Sequence, residues 1–255
     1  MKRRKFIQSG LAASAVPIGC AASSKVSTSN VEPGQELYEW REYDVKWGGN
    51  TKLLTSYLKE VLKPALMAVG VNHFMVFEDL NNSAEKKIRT LISYPNAEVY
   101  VQSQTIQHQA PFITAAQEYN AVPVDKPIYN RFESSLLLAF TAQPQMVLPK
   151  PDSGVFELRI YEGYSDDAVR RKIKMFNDGE VPIFIDAGLY PVFFGEMIAG
   201  PLRPCLVYMV NCKDMEAHSK GWKSFLSHPD WIAMRGKEEY ANSISNIRNA
   251  FLKLV

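Results

Sequence analysis

The chain is short of the residues that usually announce chemistry. Its 255 residues include only four histidines and three cysteines. His73, His108, His218 and His228 form neither H-x-x-x-H nor H-E-x-x-H, so no metal centre is predicted. The nucleophile elbow G-x-S-x-G, the P-loop and the dinucleotide fingerprint are missing too. Hydrolase, nucleotide-binding and Rossmann readings therefore lack support, and no cofactor is predicted. Acidic residues are absent before Glu32, and no apolar run is long enough to span a bilayer as a helix.

The N-terminus, by contrast, is strongly patterned. Lys2, Arg3, Arg4 and Lys5 form a basic head, and Leu11 to Ala22 is apolar and small. Residues 1–22 read as an export signal. Arg3-Arg4 followed by Lys-Phe-Ile-Gln resembles the twin-arginine export signal of bacteria, with Lys2 where Ser or Thr is usual; the general route is the alternative. Cleavage after Ala22 would free a soluble periplasmic chain. Cleavage before Cys20, in Ile18-Gly19-Cys20, would leave a lipoprotein anchored on the cell envelope through an acylated Cys20. Residues 23–35 are a polar tether too weakly apolar to fold. Removing residues 1–22 takes away four positive charges and turns the formal net charge from +2 to −2. No basic patch for nucleic acid remains, and membrane contact is expected only through the signal or the lipid.

The remaining sequence repeats at an offset of 118 residues. Glu39, Arg41 and Tyr43 recur as Glu157, Arg159 and Tyr161; Pro64, Gly70 and Glu78 recur as Pro182, Gly188 and Glu196. Two copies of one small fold follow, spanning residues 36–142 and 154–255 around a proline-bearing linker at 143–153. In copy one, alternation predicts a strand over Glu36 to Val45, and Leu54, Leu58, Val61, Leu62, Ala65 and Val69 make one helical face ending at Gly70. Pro64 should kink that helix. Strands over Val71 to Glu78 and Arg89 to Tyr94, a helical stretch within Asn96 to Tyr119, and a closing segment over Ile128 to Phe140 complete a ferredoxin-like order. Copy two is read alike, but Asp230 to Leu254 has the period of a helix, and Ala250-Phe251 is matched to Ala139-Phe140. The fold class is α+β: two tandem ferredoxin-like repeats closing an intramolecular α/β barrel with helices outside. Cys205 and Cys212 flank one strand and lie on the order of 23 Å apart, beyond disulfide reach.

Three segments carry a family resemblance. The strand E-L-R-x-Y at Glu157 to Tyr161, the helix end from Pro182 to Gly188, and Trp222-x-x-Phe225-x-x-x-Pro229-x-Trp231 resemble the NIPSNAP family of the dimeric α/β-barrel superfamily. The resemblance spans roughly residues 36 to 255 and is clearest in copy two. It implies the tandem barrel, but it transfers no defined reaction; copy one lacks the paired tryptophans.

The row Glu157, Arg159, Tyr161 shares one strand face, as does Glu39, Arg41, Tyr43. Facing into the barrel, these rows would bind a small anionic or hydrogen-bonding ligand, with Arg as a bidentate clamp and Tyr as a donor; otherwise the Arg and Glu residues pair across neighbouring strands. His218 shares a helix face with Trp222 and Phe225 and is a candidate pocket wall, and Glu78 and Glu196, which end matching strands, are candidate acids or bases near the barrel mouth or else solvated strand-end carboxylates. The expected functions are small-molecule binding, oxidative or isomerising catalysis around Arg159, Tyr161 and His218, or a non-catalytic envelope interaction module. A homo-oligomer is compatible with each.

Overall fold

Alternating apolar residues in eight segments build one closed antiparallel sheet. The computed structural model describes residues 34–81 and 86–255; the export signal and Cys20 lie outside them. Copy one contributes β1 (Leu37–Val45), β2 (His73–Asp79), β3 (Lys86–Tyr94) and β4 (Tyr129–Ala139). Copy two contributes β5 (Val155–Glu162), β6 (Tyr190–Ala199), β7 (Cys205–Cys212) and β8 (Asn246–Leu254). Around the barrel the order is β1-β3-β2-β8-β5-β7-β6-β4, returning to β1. Each half thus has the ferredoxin-like arrangement, its fourth strand beside its first. The halves are sewn at two seams, β2 with β8 and β4 with β6. Closure leaves no free sheet edge.

Helix α1 begins at Thr51–Ser56 and continues through a π-helical turn, Tyr57–Leu62, into Lys63–Ala68. Its counterpart α5 runs Asp166–Met175, turns through Phe176–Glu180 and ends at Val181–Asp186. In both, the wide turn immediately precedes the proline segment, and Lys63 and Val181 donate to the carbonyls of Leu58 and Phe176 five residues back. Pro64 and Pro182 cannot donate and would crowd the carbonyl four residues earlier, so the ladder widens where a simple kink was expected. Helix α2 (Ala97–Ser103) and helix α6 (Met215–Ser227) open on matched caps: Asn96 accepts from Val99 N–H at 3.0 Å and Asp214 from Ala217 N–H at 2.8 Å. Copy one continues in the short helices α3 (Ala110–Ala115) and α4 (Gln117–Asn120), and copy two has α7 (Pro229–Arg235) after α6. No helix among the described residues is long and apolar enough to cross a membrane.

Two expectations need correction. Residues 230–254 are not one helix: after α7 the chain turns into β8, which pairs with β5 and closes the barrel. The final strands also match at another offset. Glu39 stands opposite Leu136 and Glu157 opposite Phe251, so Phe251 is the counterpart of Leu136, not of Phe140.

Three apolar cores result. One fills the lumen with Tyr38, Trp40, Phe77, Leu91, Phe156, Leu158 and Phe193 among others. The other two lie between the outer face of each half-sheet and its helices.

Candidate functional site

The row Glu157-Arg159-Tyr161 faces outward. Phe156 and Leu158 fill the lumen, so period-two geometry turns their neighbours toward the covering helices α5 and α6. The same holds for Glu39-Arg41-Tyr43 beside Tyr38 and Trp40. Neither polar row lines the barrel interior, and Arg pairs with Glu two residues away on its own strand rather than across strands.

In copy two, Arg159 donates to Glu157 Oε1 at 2.6 Å, and Trp222 Nε1 donates to Glu157 Oε2 at 2.8 Å. His218 Nε2 is also 2.8 Å from Oε2. A carboxylate only accepts, so His218 donates from Nε2; that nitrogen is then closed to a metal. Burial pushes the Glu157 carboxyl up, but the His218 hydrogen bond, the Arg159 charge and the Trp222 N–H outweigh it and bring it down to about 2. The Arg159 guanidinium lies 4.6 Å from the Trp222 ring, and Tyr161 and Tyr208 share a hydrogen bond of 2.8 Å. Trp222 packs on Phe184 and Phe225 at centroid separations of 5.8 and 5.4 Å. Behind them Lys172 Nζ reaches Glu180 Oε2 at 2.6 Å inside the core. Side chains occupy this space.

In copy one the same strand positions floor a cavity of 550 Å³ between sheet and helices. Arg41 grips Glu39 with a fork, Nε to Oε1 at 2.7 Å and a terminal nitrogen to Oε2 at 2.8 Å. Ser134 donates to Oε1 at 2.6 Å and Tyr94 to Oε2 at 2.8 Å. Burial raises the Glu39 carboxyl, yet Arg41, Ser134 and Tyr94 together hold it below its usual value. The pair is therefore ionised and internally neutral. Aromatic rings wall the cavity: Tyr57 stacks on Tyr119 at 3.8 Å and 6°, and Tyr43 sits 5.1 Å from Tyr129 and 4.9 Å from Phe132. Tyr119 and Tyr129 share a hydroxyl–hydroxyl hydrogen bond. Burial pushes the Tyr43 and Tyr57 phenols up to about 12, so both remain neutral at physiological pH.

The 118-residue offset explains why the space over the Glu-Arg-Tyr row is open in copy one and filled in copy two. Trp222 and His218 correspond to Gln104 and Tyr100, both of which line the cavity. Lys172 and Glu180 correspond to the buried Leu54 and Leu62. The structure thus gathers Glu39, Arg41 and Tyr43 in one site and Glu157, Arg159, Tyr161, His218 and Trp222 in another. Glu196 joins neither: it is exposed near the end of β6, in register with Leu138 and Leu206. Glu78 instead meets Lys253 at 3.1 Å. Sequence reasoning missed Tyr94, Ser134, Tyr119 and Tyr129. Cys212 stands at the Tyr94 position of copy two, so no repeated residue flagged it. Ser134 is found only through the β1–β4 register. Among the described residues no three His, Cys, Asp or Glu side chains stand together as a metal site.

By sequence, no family model matches the chain, and neither does any curated protein. By structure, it is similar to a "putative monooxygenase" from Fusobacterium nucleatum, with 12% identity over 87% of this chain and 93% of that one and a TM-score of 0.61. A second "putative monooxygenase", from Lactobacillus acidophilus, has 11% identity over 86% and 94%, with a TM-score of 0.56. A NIPSNAP-like domain protein from Burkholderia xenovorans matches 40% of this chain and 84% of its own at 20% identity, with a TM-score of 0.35. The chain has the fold of a dimeric α/β barrel closed within a single polypeptide.

Proposed function

We propose that the protein binds a small aromatic molecule in the copy-one cavity, between the β1 face and helices α1 to α4. The observation that carries this reading is the asymmetry of the repeat: the space that Trp222 and its neighbours fill in copy two is open in copy one. A cavity of 550 Å³ is in the range that takes drug-sized ligands. Its walls offer ring faces, and its floor offers tyrosine hydroxyls around an ion pair with no net charge. That environment favours a planar, uncharged ligand with one or two hydrogen-bonding groups, such as a phenol or naphthol.

The test uses 2-naphthol as probe. Gln104→Trp copies the residue that fills copy two and should abolish binding while the protein stays folded; Arg41→Met should weaken binding and also lower stability, because Glu39 loses its partner. Binding undiminished in Gln104→Trp refutes the site. Oxidation of such an aromatic by dioxygen is the second reading, suggested by the "putative monooxygenase" neighbours; ligand-dependent oxygen uptake tests it. We also place the protein outside the cytoplasm, on the evidence of its basic and apolar N-terminus. The intact mass of the chain from its host, lacking residues 1–22 or acylated at Cys20, tests that placement.

A further inference from the structure

A second cavity, of 460 Å³, lies on the other side of the same sheet, inside the barrel. Trp40, Leu137, Leu158, Met197 and Val207 belong to the lumen core and also line this space. At this end the lining positions Glu42 on β1, Lys87 and Arg89 on β3, Glu133 on β4 and Arg248 on β8 are charged rather than apolar, so those strands do not fill it. The far end of the lumen is closed by the segment between the halves. Met146 is buried in the lumen core, its N–H donates to Glu36 Oε2 at 2.7 Å, and Val147 N–H donates to the Val192 carbonyl at 2.9 Å. The result is a cup with one mouth, the form in which small barrels hold ligands.

The mouth selects by charge. Arg89 donates to Glu42 at 2.7 Å and to Asp79 at 2.6 Å. Lys87 is paired with Glu42 and, at 3.1 Å, with Asp44, and Arg248 is paired with Glu162. Each cation lining the cavity, Lys87, Arg89 and Arg248, is matched by a carboxylate, so the lining itself offers no uncommitted positive charge to an anionic head. Glu133, the remaining charged lining residue, is exposed to water, where its field is screened. An aliphatic interior below a self-neutralised rim suits a chain that ends in an uncharged polar group. Strand β1 separates this cup from the copy-one cavity: Trp40 and Glu42 point here, Glu39, Arg41 and Tyr43 point outward, and no lining residue is shared.

We propose that the barrel lumen binds a single-chain aliphatic amphiphile with an uncharged, hydrogen-bonding head, such as a long-chain alcohol or a monoacylglycerol. The proposal is independent of the aromatic site. The test is displacement of the fluorophore N-phenyl-1-naphthylamine from the full chain by 1-octanol, 1-decanol, decanoate and decylamine. Decanol should displace the fluorophore about fifteenfold more strongly than octanol, because each buried methylene contributes a factor of about four. Ala250→Phe, which pushes a ring into the cup from β8, should weaken decanol binding at least about tenfold. Should that variant fail to fold, Leu202→Glu decides, since Leu202 lines the mouth from a loop outside the strands. Absence of displacement, or decanol binding unchanged in Ala250→Phe and Leu202→Glu, overturns the site. Decanol binding lost in Gln104→Trp but kept in Ala250→Phe overturns it in favour of the outer cavity. A tenfold preference for decanoate or decylamine overturns the uncharged head.

Discussion

Replacing Glu157 by Gln should remove most of the acid sensitivity that the copy-two cluster gives the fold. The carboxylate is buried and takes hydrogen bonds from Arg159, His218 and Trp222. Its pKa falls from an ordinary 4.5 to about 2 in the folded chain. A carboxyl depressed on folding stabilises the protein fully above its unfolded pKa, and that contribution is lost as pH falls through the folded one. For Glu157 this corresponds to about 3 kcal/mol, present at neutral pH and lost between about pH 5 and 2. Direct removal acts in the same direction: the half-buried Arg159 guanidinium is left without its counter-charge, at a cost toward or below the low end of the about 3 to 5 kcal/mol typical of fully buried pairs. Urea unfolding of wild type and Glu157→Gln from pH 7 to pH 3 measures both. The variant should be less stable by about 3 kcal/mol at pH 7, and the gap should narrow as pH falls. Other carboxyls, including Glu39 and Glu42, are also held low, so the difference between the two proteins is the quantity to follow. A gap that stays constant from pH 7 to pH 3, or is below about 1 kcal/mol throughout, refutes the reasoning.

The buried pair Lys172–Glu180 replaces Leu54 and Leu62 of the other half, and this gives a double-mutant prediction. Lys172→Leu alone should cost about 3 to 5 kcal/mol in urea unfolding, whereas Lys172→Leu with Glu180→Leu should return to within about 1 kcal/mol of wild type or exceed it. The cysteine thiols should be inert in the native state. Burial pushes Cys205 up to about 12 and Cys212 up to about 11, so iodoacetamide at pH 8 should label neither until urea unfolds the chain.

Strands β1, β2, β3, β5, β6 and β7 were readable because repetition and alternation are local. The 118-residue offset holds for β1 with β5, β2 with β6, β3 with β7, and the caps Asn96 and Asp214. It fails in the last strand, where the chain before it differs in length and Leu136 is matched by Phe251. The helical reading of residues 230–254 failed for a specific reason. Arg248 is on the lumen face of β8 at the charged mouth, while Ile247 and Phe251 are on the outer face, so the strand lacks one apolar side. Tyr94 and Ser134 escaped notice because they meet Glu39 through ladder register, which no short motif encodes.

By itself, the sequence determined that two ferredoxin-like copies exist, and that Glu, Arg and Tyr share one strand face in each. Those facts follow from chain periodicity alone. Which side of the sheet that face occupies was decided by tertiary structure, because β1 and β5 are buried on both faces, between the lumen and the helices, and both faces look like core. Tertiary structure also decided that the aromatic-walled cavity over the Glu-Arg-Tyr row lies in copy one, which has no counterpart of Trp222 and Trp231. An indole at residue 222 occupies the space that a glutamine at residue 104 leaves open, and only packed helices define that space.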